Sequence, residues 1–278
     1  MTQSPTGWHI IQDASNSEAY PLLSQDPVWN SFALADLELP LRTYSQFALA
    51  YQDDSHEKAI CLILRHPIIG QVISPYGSSR GIAELLKVLD LPATVLIQAQ
   101  EIHMPLLQEY YRPATAWRKM FRMAVSASSF LPSPRKPSHE VRRLTTVDLP
   151  ALEDLYATHG ETPFSAELFA QGLFFGAFDQ KRLIAAGGTH VIVPDHRLAV
   201  LGYILTVPEA RKQGYATAIT AALVTTLLQQ PQTIVVLNVF EDNSNALRIY
   251  SGLGFQTHHK LAEGKALLLE KHRQLTPE

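Results

Sequence analysis

Apolar and polar positions follow a regular pattern in the C-terminal half of the chain. Short apolar runs between polar turns predict strands, and apolar positions spaced three to four residues apart predict amphipathic helices. A nearly uninterrupted apolar run at 233–240 is typical of a strand buried on both faces. Together these signals indicate an α/β (α+β) fold with a mixed sheet. The strands are predicted at 141–144, 174–178, 182–192, 198–207, 233–240 and 266–269, and the helices at 148–159 with Asp148 as cap, 216–227 and 243–252.

The N-terminal half repeats the later part of this order. Its apolar runs predict strands at 59–65, 70–74, 94–98 and 121–125, and helices at 82–89 and 104–111. When GSSRGIAELLKVL is set against RKQGYATAITAAL, Gly81 falls on Gly214 and Ala83 falls on Ala216. This weak internal repeat predicts two related halves.

A proline-rich stretch separates the two halves. The sequence SASSFLPSPRKPSH contains three prolines, which remove backbone donors and disfavour both helix and sheet. Phe130 and Leu131 are expected to anchor this stretch to a surface. We therefore predict an N-terminal domain at 1–125, a linker at 126–138 and a C-terminal domain at 139–278.

Composition narrows the functional classes. The chain has 278 residues, 46% of them hydrophobic, and a formal net charge of −3, so it lacks the basic excess of a general nucleic-acid binder. Cys61 is the single cysteine, which excludes an internal disulfide and fits a reducing compartment. The N-terminus lacks the pattern of a signal peptide, and no apolar run approaches the roughly 20 residues of a membrane span. We predict a cytoplasmic protein with neither nucleic-acid nor membrane partners.

The sequence VPEARKQGYATAI predicts an anion-binding loop. A strand ends at Pro208, and a glycine-containing turn leads into a helix whose first residues are small. Unpaired N–H groups at a helix start attract anions, and Gly214 lets a diphosphate approach the backbone closely. Arg211 and Lys212 add positive charge at the entrance. The alternative is an ordinary strand-to-helix turn that happens to be basic.

A second element, FEDNSNALRIYSGLGF, places three residues on one helical face. Asn243, Ala246 and Tyr250 are spaced three and four positions apart, which corresponds to about one turn each. Ala246 allows close approach of a ligand, Asn243 can bond an amide, and the Tyr250 phenol suits protonation of a departing thiolate. The alternative is a tyrosine that only closes the edge of a core.

With these residues the sequence resembles the GNAT superfamily of N-acetyltransferases. The motif Arg/Gln-x-x-Gly-x-Gly/Ala is matched after the customary Val-Pro, and so is the later Asn-x-x-Ala-x-x-x-Tyr-x-x-x-Gly-Phe. The resemblance covers about residues 139–272. The matching positions are Val207, Pro208, Arg211, Gly214, Ala216, Asn243, Ala246, Tyr250, Gly254 and Phe255.

The resemblance implies two GNAT-like mixed-sheet domains with helices flanking the sheet. The C-terminal domain would be catalytic, and the N-terminal domain would be a degenerate copy. Acetyl-CoA or another acyl-CoA would lie between splayed strands at 201–207 and 233–240, without any metal. The implied roles are pantetheine binding by the backbone of Leu205 and Val207, diphosphate binding by Arg211, Lys212, Gln213, Gly214, Tyr215 and Ala216, contact with the CoA arm by Asn243 and Ala246, and general-acid catalysis by Tyr250.

The reaction implied is direct attack of an amine on the thioester in a ternary complex, which requires loss of a proton from the amine. Many family members carry a glutamate on the strand before the loop, but AVLGYILTV contains no carboxylate. Candidate bases are His190, Glu241 and, through a water, Tyr203; alternatively the amine arrives deprotonated. The acceptor would be a small-molecule amine or a peptide, and the protein a monomer or a homodimer.

Two other functions compete with acyl transfer. A non-catalytic acyl-CoA-binding or sensing module would explain the missing carboxylate. A serine hydrolase would use Ser79, because GSSRG at 77–81 matches G-x-S-x-G between a strand and a helix. Pro75 at the strand end and the absence of an HGG-type segment argue against the hydrolase. The 11 histidines show no H-E-x-x-H spacing, so no metal site is predicted.

Overall fold

The computed structural model describes residues 2–3, 7–132, 137–160 and 164–272. The chain forms two compact units: residues 1–120 together with 259–278, and residues 121–258. The fold is α/β with mixed sheets and flanking helices, as predicted. None of the helices within the described ranges is long and apolar enough to span a membrane.

The first unit contains most of the N-terminal elements. Its strands are β1 (Thr2–Gln3), β2 (His9–Ile11), β3 (Ser45–Tyr51), β4 (Lys58–His66), β5 (Gly70–Gly77), β6 (Thr94–Gln100) and β7 (Tyr111–Pro113). Its helices are α1 (Asn16–Leu23), α2 (Ser31–Ala35), α3 (Ser79–Val88) and α4 (Met104–Gln108). The following strand, β8 (Arg118–Val125), begins in the first unit and ends in the second.

The second unit contains the elements that carry the predicted site. Its strands are β9 (Val141–Arg143), β10 (Phe174–Asp179), β11 (Arg182–Val193), β12 (Leu198–Thr206) and β13 (Ile234–Phe240), and its helices are α5 (Leu149–His159), α6 (Ala166–Gln171), α7 (Tyr215–Leu227) and α8 (Ser244–Gly252). The last strand, β14 (Gln256–Leu268), begins in the second unit and ends in the first. Short 3-10 turns lie at Leu41–Tyr44, Glu101–His103, Thr146–Asp148, Pro194–His196, Pro208–Ala210 and Glu270–His272.

The sheet of the second unit is antiparallel from β9 to β12 and parallel between β12 and β13. Glycines in β11 show which helices cover each face. A Cβ at Gly187 would meet Ile219 of α7, so α7 covers that face. A Cβ at Gly188 would meet the Phe174 ring, which lies with Tyr156 of α5 and Phe164 on the other face. A continuous apolar core fills both sides.

The start of α5 is fixed by a buried carboxylate. Arg142 donates two hydrogen bonds to Asp148, at 2.8 and 2.7 Å, and Thr145 N donates a third at 2.9 Å. The Arg142 hydrogen bonds, against the opposing effect of burial, lower the pKa of Asp148 to about 2. The predicted capping residue therefore lies in the turn before α5, which begins one residue later at Leu149.

Replacing Asp148 with asparagine is expected to lower the free energy of unfolding at pH 7 by about 2 kcal/mol, since one pKa unit corresponds to about 1.4 kcal/mol. Because the folded pKa lies below the ordinary value of 3.8, the stabilisation is present above that value and disappears as the pH falls towards about 2. Urea unfolding at pH 7 and at low pH tests this. The exposed Asp195→Asn control should unfold like the wild type at both, and an acid-independent deficit would contradict the assignment.

The first unit repeats the element order of the second, with a shifted alignment. An antiparallel pair, β4 and β5, is followed by α3 and by β6, which pairs in parallel with β5. Gly81 is the third residue of α3, however, whereas Gly214 precedes α7. A Cβ at Gly81 would meet the Trp8 ring and Ala59, so this glycine serves close packing. The predicted superposition of Gly81 on Gly214 is therefore wrong, although the order of elements is repeated.

The two compact units differ in their bounds from the predicted domains. Residues 259–278 belong to the first unit, and the second unit begins at residue 121, before the predicted linker. Residues 261–267 pair with β6 of the first unit, from Gln100–Leu261 to Thr94–Leu267. Residues 126–132 of the predicted linker contact the second unit, where Leu131 N donates to Leu253 O and Phe130 packs on the core. Linker residues 133–136 lie outside the described residues.

Candidate functional site

A cleft opens where β12 separates from β13. Their parallel pairing runs from Leu198–Ile234 to Leu201–Leu237. Immediately beyond it, Tyr203 has φ +59°, and the register with β11 shifts so that Gly187 opposes two residues of β12. Such a bulge bends the strand away from its neighbour. Residues 198–201 are buried, whereas residues 202–206 are half-buried, which places the second half of β12 along the cleft.

The backbone N–H and C=O groups that line this cleft belong to other residues of β12 than those predicted. Val207 N donates to Ile184 O at 3.0 Å, and bonded pairs alternate along an antiparallel ladder. The backbone groups of Leu205 and Val207 therefore point towards β11. Those of Ile204 and Thr206 point away from it, into the gap. The backbone groups that face the cleft are therefore those of Ile204 and Thr206, whereas the prediction was Leu205 and Val207.

The loop after β12 has the geometry of an anion-binding turn. Lys212 has φ +65° and Gly214 has φ +94°, so the chain turns sharply before α7 begins at Tyr215. Ala218 N donates to Gly214 O at 3.0 Å and closes the first helical turn. The N–H groups before Ala218 have no acceptor within the helix, and the helix dipole favours an anion beside them.

The side chains of this loop leave its positive charge accessible. Arg211, Lys212 and Gln213 are exposed. Arg211 donates from Nε to Thr206 O at 3.3 Å, which leaves its terminal nitrogens for another acceptor. Gln213 donates to Glu209 O at 3.3 Å. The loop therefore combines backbone donors with two exposed cations.

Tyr215 contributes to this loop only through its backbone. Its side chain is buried, and its hydroxyl is hydrogen-bonded to Ser138 Oγ at 2.8 Å and to His139 Nδ1 at 2.5 Å. These bonds turn the ring away from the exposed loop. Of the predicted segment Gln213–Ala216, the N–H groups remain the donors for an anion.

Asn243 caps α8, and this restricts how it can bind a ligand. Its Oδ1 accepts a hydrogen bond from Ala246 N at 3.1 Å, and α8 begins at the next residue, Ser244. The side-chain amide N–H groups of Asn243 remain available on an exposed residue. Ala246 is half-buried on the same side of the helix. Asn243 is therefore a donor rather than an acceptor for a bound molecule.

Tyr250 is buried at the end of the same helical face. The residue is 8% exposed, and its ring lies 5.8 Å from that of Phe255. Within the described part of the chain its hydroxyl has no hydrogen-bond partner. Burial raises the pKa of Tyr250 to about 12. The phenol therefore stays protonated and can donate its proton to a ligand.

The three candidate bases have different surroundings. His190 occupies a bulge in β11, its ring lies 4.5 Å from that of Tyr203, and burial lowers its pKa to about 4. Burial raises the pKa of Tyr203 to about 12. Neither group titrates near neutral pH. Glu241 is exposed in the turn between β13 and α8.

An aromatic cluster beside the bulge includes Tyr203, a candidate base, and three rings that the sequence did not place in the site. The Tyr203 ring lies 5.5, 5.8 and 5.9 Å from those of Tyr156, Phe164 and Phe174, respectively. Tyr156 also donates its hydroxyl to Tyr203 O at 2.6 Å, which fixes the bulged backbone. These residues are far apart in sequence, and the sequence pattern places Phe174 only in the predicted strand at 174–178.

Asn238 was also missed, although it lies where β13 leaves β12. Its Oδ1 accepts a hydrogen bond at 2.9 Å from Nε of Arg122, which is 1% exposed. The buried guanidinium therefore fixes the Asn238 amide where β13 stops pairing with β12. Nothing in the apolar run at 233–240 marks this polar residue as special.

The corresponding turn in the first unit is closed by the protein itself. Ser78 precedes α3, and its hydroxyl donates to the Glu57 carboxylate at 2.5 Å. Arg80 lies 3.5 Å from the same carboxylate. An internal anion thus occupies the start of α3. Ser79, the candidate nucleophile, is the first residue of α3, and no histidine among the described residues is hydrogen-bonded to it.

No group of three histidine, cysteine, aspartate or glutamate side chains suited to a metal ion occurs within the described ranges. The loop, the cleft and Tyr250 instead suit an elongated anionic ligand with a reactive end.

Comparison with known proteins agrees with this geometry. Residues 140–255 match the Acetyltransferase (GNAT) family. No curated protein sequence gives a significant match.

Several solved structures share the fold over nearly the whole chain. A Drosophila protein aligns with a TM-score of 0.65 and 18% identity, over 96% of this chain and 99% of that one. A GCN5-related N-acetyltransferase from Sphaerobacter thermophilus aligns with a TM-score of 0.60 and 16% identity, over 95% of this chain and 96% of that one. A tandem GNAT protein from the clavulanic acid biosynthesis pathway aligns with a TM-score of 0.52 and 12% identity, over 94% of this chain and 98% of that one. The likeness therefore extends to both units and concerns the fold.

Proposed function

Because residues 140–255 match the GNAT acetyltransferase family, we propose that this chain transfers an acetyl group from acetyl-CoA to an amine. The observation that carries the proposal is the separation of β12 from β13 beyond Leu201–Leu237, directly upstream of the anion-binding loop. This arrangement offers an extended thioester a strand edge on β12, a diphosphate site in the loop before α7 and a proton donor on α8.

The residues present fit acetyl-CoA. The N–H groups of Gln213–Ala216 and the charges of Arg211 and Lys212 would hold the diphosphate. The backbone of Ile204 and Thr206 would bond the amide groups of the pantetheine arm, and the Asn243 amide would donate to the same arm. No metal is required, because the charges to be neutralised lie on the diphosphate and on the departing sulfur.

The proposed reaction forms a carbon–nitrogen bond, breaks the carbon–sulfur bond of the thioester and transfers protons to balance both changes. The lone pair of a neutral amine attacks the thioester carbonyl carbon, and the carbonyl re-forms as the carbon–sulfur bond breaks. The sulfur leaves with the electron pair and receives a proton from Tyr250, while the nitrogen loses a proton to water. The water then restores the Tyr250 proton. The products are an N-acetylated amine and CoA.

The general base is assigned to water in this proposal. A base is most effective when its pKa lies near the working pH, and neither His190 nor Tyr203 meets this condition. The missing carboxylate on β12 is consistent with an acceptor that reaches the site as a neutral amine. Glu241, exposed after β13, remains a candidate for passing protons to solvent.

Acetyl-CoA-dependent release of the CoA thiol tests the proposal. The purified full chain is mixed with acetyl-CoA and a panel of primary amines, and thiol release is compared with release in the absence of amine. We expect amine-dependent release and an acetylated product. Tight acetyl-CoA binding without turnover on any amine would instead favour the sensing module, which the missing carboxylate supports.

A further inference from the structure

We propose that the acceptor is a monoamine that carries an aromatic ring, which packs against Phe164 and Tyr203. This inference rests on the acetyl transfer proposed above and names the substrate class. It follows from which face of the sheet the thioester reaches, which side chains line that face, and what charge they carry.

The reacting end of the thioester should lie beside Tyr203. The diphosphate loop follows β12, and the stretch of β12 from Thr206 back to Gly202 spans about 13 Å at roughly 3.3 Å per residue. An extended arm held along this strand therefore brings its thioester to the bulge. Phe174 and Tyr203 lie on the sheet face opposite α7, so the acceptor approaches on the face that α5 and Phe164 cover.

The rings at this position lie edge to face, and two of them keep part of their surface exposed. Phe164 is nearly perpendicular to Tyr203, at 81°, and to Phe174, at 80°. Phe164 and Tyr203 are half-buried, whereas Phe174 and Tyr156 are buried behind them. An added ring can contact the open parts of the first two, and aromatic pairs contribute about 0.5–1.5 kcal/mol beyond the area they bury.

The charge of the cluster argues against a polycationic acceptor. Its members Tyr156, Phe164, Phe174 and Tyr203 are uncharged at neutral pH, and burial lowers the pKa of His190 to about 4. None of these five side chains offers a carboxylate to a second ammonium group, which would lose water on entering the cluster. The same surroundings disfavour the ammonium form of the reacting amine, which helps the nucleophile to shed its proton.

Matched acceptors test the inference. The kcat/KM for thiol release is measured with 2-phenylethylamine, with its saturated analogue 2-cyclohexylethylamine and with spermidine. We expect the kcat/KM for 2-phenylethylamine to be about tenfold or more above that for spermidine. It should also be a few fold above that for 2-cyclohexylethylamine. In Phe164→Ala, the KM for 2-phenylethylamine should rise about tenfold, while the KM for acetyl-CoA changes less than twofold.

Phe175→Ala is the matched control. Phe175 is a half-buried phenylalanine in β10, but it pairs with Gly187 and so faces α7. Its loss should leave the preference among amines unchanged. Preference for spermidine, or equal KM increases in the two variants, would overturn the inference while leaving acetyl transfer intact. Acetyl-CoA binding without acetylation of 2-phenylethylamine would also overturn it, and failure to bind acetyl-CoA would overturn the proposed function itself.

Discussion

Replacing Gly214 with aspartate is expected to abolish the rise in melting temperature that acetyl-CoA produces in the wild type. Gly214 has φ +94°, a conformation that side chains other than glycine rarely adopt, and its replacement would place a carboxylate beside the diphosphate. A ligand at one hundred times its Kd stabilises a protein by about 2.7 kcal/mol. The wild type should therefore show a clear shift in thermal unfolding, and Gly214→Asp should show none.

Gly70 provides the matched control for this experiment. It has φ +89°, and a Cβ there would meet open space at the start of β5 in the first unit. Gly70→Asp therefore introduces comparable backbone strain and the same charge in a different unit. Its melting temperature without ligand should fall, but acetyl-CoA should still raise it. An undiminished shift in Gly214→Asp would show that the ligand binds elsewhere.

Replacing Tyr250 with phenylalanine is expected to lower kcat about 100-fold or more, the usual contribution of a general acid. The ring and its contact with Phe255 remain, whereas the proton donor is lost. The KM for acetyl-CoA should change little, because the hydroxyl acts on charge that develops on sulfur during the reaction. Steady-state thiol release with a saturating amine provides the measurement.

The pH dependence distinguishes this role from a structural one. Because burial raises the pKa of Tyr250 to about 12, the acid form persists at alkaline pH, and the wild-type kcat should show no loss assignable to Tyr250 below about pH 10. Tyr111→Phe is the control, since it removes a buried hydroxyl that donates to Pro92 O at 3.1 Å in the first unit. That variant should lose stability but keep kcat. Full activity in Tyr250→Phe would remove Tyr250 from the mechanism.

The regular elements of the second unit were largely predictable, because each has a strong local signal. The apolar stripe of α7 and the apolar run of β13 gave bounds within about two residues of those observed. The last strand was predicted only at 266–269, whereas β14 spans Gln256–Leu268. Its first five residues, 256–260, are polar and exposed or half-buried, and a hydrophobicity pattern does not separate such a segment from a loop.

The candidate site was predictable as a set of residues but not as a set of orientations. Glycine and basic residues marked the loop, and helical spacing marked Asn243 and Tyr250. The bulge at Tyr203 exchanges which backbone groups face the cleft, and no sequence pattern reports a positive φ at a tyrosine. The aromatic cluster likewise arises from tertiary contacts between residues that are distant in the chain.

The path of β14 has a consequence for how the chain is made. Residues 261–267 pair with residues 94–100, so the sheet of the first unit receives one of its inner strands only after residues 121–258 have been made. Residues 121–258, by contrast, form a continuous segment that can close its own core earlier. Until the last strand arrives, the edge of β6 presents unpaired backbone groups, the condition under which strands join unintended partners. Of the two units, the one whose strands are made first is thus the one that is completed last.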